Sequence, residues 1–197
     1  MLVCAFATVA AFARAEPRVL PVPGDVESTV VVEGHIAAVV PFVDALCPSG
    51  SGCLLNEGFG IGAWVERRWP FGGALYLGYD VAFLTAQGVY EVGVLQALRT
   101  GGRWVFPTGQ RLRPYAELGI DVVCFGDSFQ IATAGAAVDL GAGGELELSS
   151  STSLVFGLVF RAFTTGPFVT PNDRVVRGDD PAASLALLAR VGIAWFL

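Results

Sequence analysis

His35 is the single histidine of this chain and follows Glu33 by two residues. In an extended segment that spacing puts both side chains on one face. General acid–base chemistry would need a hydroxyl within hydrogen-bond reach of the imidazole. No serine is obviously placed beside His35, so a histidine hydrogen-bonded to carboxylates is expected there, with no catalytic residue. Charges recur in the same alternating way along the rest of the chain. Glu66, Asp80, Glu91, Arg99, Arg113, Glu117, Asp121, Asp139, Glu145, Glu147, Arg161 and Arg190 each fall out of phase with an apolar series. With Glu33 this makes nine acids and four arginines. If enclosed, they must pair, because an unpaired buried charge is expensive. Arg99, Arg113, Arg161 and Arg190 are the expected hubs, each able to fork two carboxylates. One-to-one pairing of nine acids with four arginines leaves five carboxylates over. A thin cation-preferring pore is therefore a second reading beside a plug of ion pairs.

Other motifs carry less chemistry. Arg177-Gly178-Asp179, followed by Asp180 and Pro181, spells an adhesion tripeptide, but a Gly-Asp turn before proline accounts for it. Asp173, Asp179 and Asp180 lack the ligand spacing of a calcium loop, so no metal site is expected. Cys47 and Cys53 bracket PSGSG, a short flexible loop that a disulfide would close, with Cys124 left free; three cysteines also permit other pairings. No glycine-rich phosphate loop, zinc spacing or basic–aromatic patch is present, and no cofactor is implied. The formal net charge of −6 argues against nucleic acid as a partner.

The elements that must position these charges are strands. The chain is 53% hydrophobic with 25 glycines and only 15% charged residues, and its mean hydropathy is +0.60. Yet every long apolar stretch of the mature chain is broken by charge, proline or glycine before the ~18 residues a membrane helix needs. Eight stretches with a period of two lie near 29–41, 56–67, 73–84, 89–106, 111–123, 135–148, 152–163 and 184–197. One parity is apolar on every stretch, as in Phe59, Ile61, Ala63 and Val65, or Leu154, Phe156, Leu158 and Phe160, with Gln96 its main polar exception and no charge. The other parity carries the charges, separated by glycines. A narrow barrel interior accommodates small residues among a few charges, and a full set of large apolar ones would overfill it. The expected fold class is therefore all-β, an eight-stranded antiparallel up-and-down transmembrane β-barrel with its apolar parity facing lipid.

Connector lengths orient it. Long links at 42–55, 124–134 and 164–183, with an intermediate one at 85–88, alternate with short ones at 68–72, 107–110 and 149–151. Outer-membrane barrels turn tightly on the periplasmic side, and Trp69, Phe71, Trp104, Phe106 and Trp195 gather at that end as an interfacial girdle would. Residues 1–15 read as a signal peptide ending in Ala13-Arg14-Ala15, residues 16–28 as a proline-rich periplasmic lead-in, and 29–197 as the barrel.

RLRPYAELGID (Arg111–Asp121), VDLGAGGELELSSS (Val138–Ser151) and the terminal VGIAWFL together resemble the small eight-stranded outer-membrane barrels of the OmpA-transmembrane-domain and OmpX kind, over roughly residues 28–197. The resemblance implies location in a bacterial outer membrane and contact with its lipid. It also implies that Ile193, Trp195 and Leu197 form the terminal pattern read by the barrel-assembly machinery, although members usually end on Phe and this chain ends on Leu197. Some members modify lipid A with a His, a Ser and a carboxylate, which would give His35 a role. A non-catalytic structural or surface-interaction protein with a polar, largely filled lumen is the primary expectation; its extracellular ligand is not specified by the residues.

Overall fold

The computed structural model describes residues 28–43, 46–47, 52–86, 89–172, 174–178 and 183–197. The expected signal segment and all of the lead-in except Ser28 lie outside them. Eight long strands, β1 (Thr29–Val43), β2 (Gly58–Arg68), β3 (Gly73–Leu84), β4 (Gly93–Val105), β5 (Leu112–Asp127), β6 (Gln130–Ser149), β7 (Thr152–Thr165) and β10 (Ser184–Phe196), close into one antiparallel barrel. Each pairs with its neighbours in sequence, and β10 closes the ring on β1 with Val32 opposite Trp195 and Ile36 opposite Val191. A hairpin of two short strands, β8 (Phe168–Val169) and β9 (Val176–Arg177), stands in the last long loop.

The alternation that defines the strands also defines their two faces. Ile36, Leu77, Ile120, Leu140 and Leu158 are all more than half exposed, whereas Glu33, Glu66, Asp139 and Glu145 have no exposure. Apolar groups outside and charges inside make sense only with hydrocarbon around the wall, since in water this arrangement would forfeit the hydrophobic driving force. Two aromatic bands border the apolar belt. At the short-turn end Phe71 lies 6.1 Å from Trp69 and 5.7 Å from Trp104, centroid to centroid. At the long-loop end Phe83 stacks on Phe59 at 5.1 Å and meets Phe129 edge-on at 5.9 Å.

Three features depart from the expectations. The 124–134 link is not a long loop: β5 and β6 run on to a two-residue turn at Ser128 and Phe129, whose φ values of 47° and 72° suit a twisted hairpin. Among the described residues the lipid face carries one charge, Arg67, exposed and in phase with Phe59, Ile61, Ala63 and Val65. Most consequentially, the lumen is not polar throughout. Its long-loop half is an apolar core in which Val39, Leu84, Leu95, Val123, Phe125, Phe163 and Leu188 meet Leu46, Leu54, Leu55 and Phe168 folded in from the loops. At the short-turn mouth Val31, Val105, Tyr115, Val155 and Ala194 form a second, smaller apolar layer. Large side chains fit a narrow barrel because glycines face them. A Cβ at Gly101 would stand 2.6 Å from the Tyr76 hydroxyl, and one at Gly119 would stand 2.5 Å from it.

Candidate functional site in the barrel lumen

Between the two apolar layers lies a layer of charge. Arg161 on β7 grips Asp139 on β6 at two points through one edge of its guanidinium, Nε to Oδ1 at 2.9 Å and Nη2 to Oδ2 at 2.8 Å, and donates to Asp121 at 2.9 Å. Arg99 on β4 donates to Asp80 at 3.0 Å and also pairs with Asp139 and, at 3.4 Å, Asp121. His35 faces the same group, its Nε2 3.1 Å from Asp80 and its Nδ1 3.8 Å from Glu33.

Nearer the short-turn mouth, Arg103 is the central cation. Its Nη1 donates to Glu33 at 2.9 Å and its Nη2 to Glu117 at 3.0 Å, while Glu66 lies 3.3 Å from Nη1. Arg190 donates through Nη2 to both Glu117 oxygens at 2.9 Å. Arg68 holds Glu145 in a two-point fork at 2.8 and 2.6 Å and reaches Glu66 at 2.7 Å. Arg113, partly exposed at the mouth, completes the layer 3.4 Å from Glu145. Glu117 joins the two groups, since Arg99, Arg103 and Arg190 all converge on it.

A buried indole organises these cations. The guanidinium carbons of Arg190, Arg103 and Arg99 lie 4.3, 4.6 and 5.2 Å from the Trp64 ring centroid. Cation–π attraction is strongest for tryptophan and grows when the cation is desolvated. Tyr115 takes Arg103 on its own face at 4.4 Å. The aromatic surface thus adds attraction to that of the carboxylates on the same arginines.

Arg99, Arg113, Arg161, Arg190, Glu33, Glu66, Asp80, Glu117, Asp121, Asp139 and Glu145 all fall in the layer. Glu91 does not. The strand begins at Gly93, the Asp127 carboxylate accepts from the backbone N–H groups of Glu91 and Val92, and the Glu91 side chain is exposed in the loop. Glu147 is half-buried opposite Ser153 and forms no ion pair among the described residues. Arg68, Arg103, Trp64 and Tyr76 belong to the layer and were not foreseen. Their signal was available: Arg103 shares the parity of Arg99, and Arg68 and Trp64 share that of Glu66. Arg68 was missed because strand two runs one residue beyond its expected end.

These changes alter the charge balance. Among the described residues, seven buried acids, Glu33, Glu66, Asp80, Glu117, Asp121, Asp139 and Glu145, face six arginines of the layer: buried Arg68, Arg99, Arg103, Arg161 and Arg190, and partly exposed Arg113. The surplus of five carboxylates shrinks to one, and His35 lies against two of the acids.

The loops are also tied down. Cys47 and Cys53 are joined by a disulfide, and Cys124 is a free thiol, half-buried on the outward parity of β5. Arg177, the arginine of the adhesion tripeptide, is completely buried. It donates to the Leu46 and Gly52 carbonyls at 2.6 and 2.9 Å and to the Thr170 hydroxyl at 3.2 Å, so it is a clamp between loops and is withdrawn from any receptor. Asp173, Asp179 and Asp180 lie outside the described residues.

No protein-family model and no curated protein sequence matches the chain. Solved structures match its fold. Neisserial surface protein A aligns over 84% of this chain and 96% of its own, with a TM-score of 0.61 at 11% identity. The outer-membrane protein OprG of Pseudomonas aeruginosa aligns over 86% and 96%, with a TM-score of 0.52 at 12% identity. The N-terminal β-barrel domain of OprF from the same organism aligns over 87% and 100%, with a TM-score of 0.50 at 15% identity. The chain shares the fold of the small eight-stranded outer-membrane β-barrels.

Proposed function

We propose that the chain is a non-catalytic bacterial outer-membrane barrel whose lumen is sealed and whose work is done by its wall and outer loops. The supporting observation is the stacking of the lumen into apolar, ionic and apolar layers. The void beside His35, Asp80, Arg99, Arg161 and Arg190 has a volume of about 10 Å³, on the scale of a single water. An ion entering there would have to break several charge-assisted hydrogen bonds and then cross the apolar layer above. The near balance of acids and arginines weakens the cation-preferring pore, which drew on a larger surplus of carboxylate. In this reading the short turns face the periplasm, β10 carries the pattern engaged by the assembly machinery, and the disulfide loop and the β8–β9 hairpin form the cell-surface cap.

Planar-bilayer recording tests the seal. The refolded chain is expected to give no steady single-channel steps at neutral pH. Reproducible cation-selective steps would replace this reading with the pore.

A further inference from the structure

The lipid-facing wall is recessed near the short-turn end, across β3, β4 and β5. The outward residue on β4 is Gly102, with Leu75 beside it on β3 and Leu118 on β5. Trp69, Phe71 and Trp104 wall the recess on the interfacial side, and Leu140 lines it beyond Leu118; it is an open trough of about 440 Å³. Protein atoms do not fill it. A Cβ at Gly102 would have Ala74 O at 3.6 Å and Leu75 Cδ2 at 3.9 Å as its nearest neighbours. Gly144, also an outward glycine, is covered differently: a Cβ there would meet Phe156 at 2.9 Å and Leu112 at 3.2 Å.

Arg67 lies one strand beyond this recess, on β2 beside Leu75. It pairs with Leu75 across β2 and β3, so Arg67, Leu75, Gly102, Leu118 and Leu140 form one row around the wall. Its guanidinium is exposed, and Nε donates to the Ser28 hydroxyl at 2.9 Å. A cation on a lipid-facing wall is tolerated where its head reaches the interface. A guanidinium there presents further N–H donors suited to a phosphate. An apolar trough with a cation one strand away and stacked aromatics at the interfacial end matches a molecule with hydrocarbon chains and one anionic linkage.

We propose that this recess binds a glycerophospholipid, with an acyl chain over Gly102 between Leu75 and Leu118 and the phosphate on Arg67. The inference rests on the membrane reading above and adds a defined lipid site to a wall that otherwise needs only bulk hydrocarbon.

The test is native mass spectrometry of the folded full chain in mild detergent with added phosphatidylglycerol, comparing wild type with Gly102→Leu, Arg67→Gln and Ala189→Leu. Ala189 is an exposed outward residue on β10 and serves as the control. Wild type and Ala189→Leu are expected to retain one lipid. Gly102→Leu and Arg67→Gln should each lower retention about tenfold, and a diacylglycerol lacking phosphate should bind wild type as weakly as phosphatidylglycerol binds Arg67→Gln. Equal retention by wild type and folded Gly102→Leu overturns the site; loss in Gly102→Leu without loss in Arg67→Gln overturns the phosphate assignment. Equal loss in Ala189→Leu, or no retention by folded wild type, also overturns it. Heat-modifiable gel migration shows whether each variant is folded, and Arg67→Gln carries the test if Gly102→Leu is not. Absence of heat-modifiable migration in wild type would count against the membrane barrel itself.

Discussion

The guanidinium of Arg103 lies 4.6 Å from the ring centroid of Trp64, with both side chains almost fully buried. The pair sits where three arginines converge on one indole, and four acids, Glu33, Glu66, Glu117 and Glu145, approach Arg103 from other strands. It ties β2 to β4, which are not neighbours in the barrel wall. The charged layer therefore braces the barrel across its diameter as well as filling it.

Removing Arg103 should be among the most damaging changes in the lumen. Arg103→Met would leave buried carboxylates uncompensated, at a cost of about 3–5 kcal/mol. Urea unfolding in detergent should show a large fall in midpoint for Arg103→Met. Glu91→Gln, in the exposed loop, should stay within about 0.5 kcal/mol of wild type.

The glycine opposite Tyr76 gives a compensation experiment. Gly119→Ala would bring a Cβ to 2.5 Å from the Tyr76 hydroxyl, with Thr100 O next at 3.3 Å. Overpacking of this kind costs about 1–3 kcal/mol. Tyr76→Phe removes the obstructing oxygen, so the double variant should recover much of the stability lost in Gly119→Ala. Strict additivity in a double-mutant cycle would refute this account.

Arg177→Gln should loosen the cap without opening the barrel. The substitution removes the donors to the Leu46 and Gly52 carbonyls that hold the disulfide loop against the hairpin. Limited proteolysis should cut the outer loops faster, while heat-modifiable migration of the barrel stays unchanged.

His35→Ala should leave lipid A unaltered. The imidazole is enclosed beside Asp80 and Glu33, and among the described residues no hydroxyl hydrogen-bonds to it. Lipid A from cells expressing wild type and variant should give identical mass spectra; a difference in acyl pattern would restore the enzymatic reading.

Ile193→Arg should block insertion. Ile193 lies on the lipid-facing parity of the closing strand, opposite Gly34 and Leu154 and within the terminal pattern expected to engage the assembly machinery, and a charge there faces hydrocarbon at a cost that falls from about 2–4 kcal/mol at the midplane toward the interface. Leu197→Phe should be tolerated. Outer-membrane fractions probed by immunoblot distinguish the two outcomes.

Period-two alternation made the barrel legible in the sequence. A strand sends successive side chains to opposite faces, so Ile36 and His35 had to part company wherever β1 ended up. The same rule placed Arg99, Asp121, Asp139, Arg161 and Arg190 on the inner face. The tight loop between Cys47 and Cys53 was likewise a local matter, visible in five intervening residues.

Parity cannot give height within the lumen, and height decides chemistry there. Phe125 and Asp121 are both inward on β5, yet one belongs to the apolar layer and the other to the ionic one. Strand stagger and folded-in loops set those levels. Only closure of the sheet brought Arg103 against carboxylates from β1, β2 and β6, because such encounters depend on register around the whole ring. The recess at Gly102 is likewise a product of three strands side by side. A sequence specifies which face each residue takes; which residues share a level, and hence which charges meet, is a property of the closed barrel.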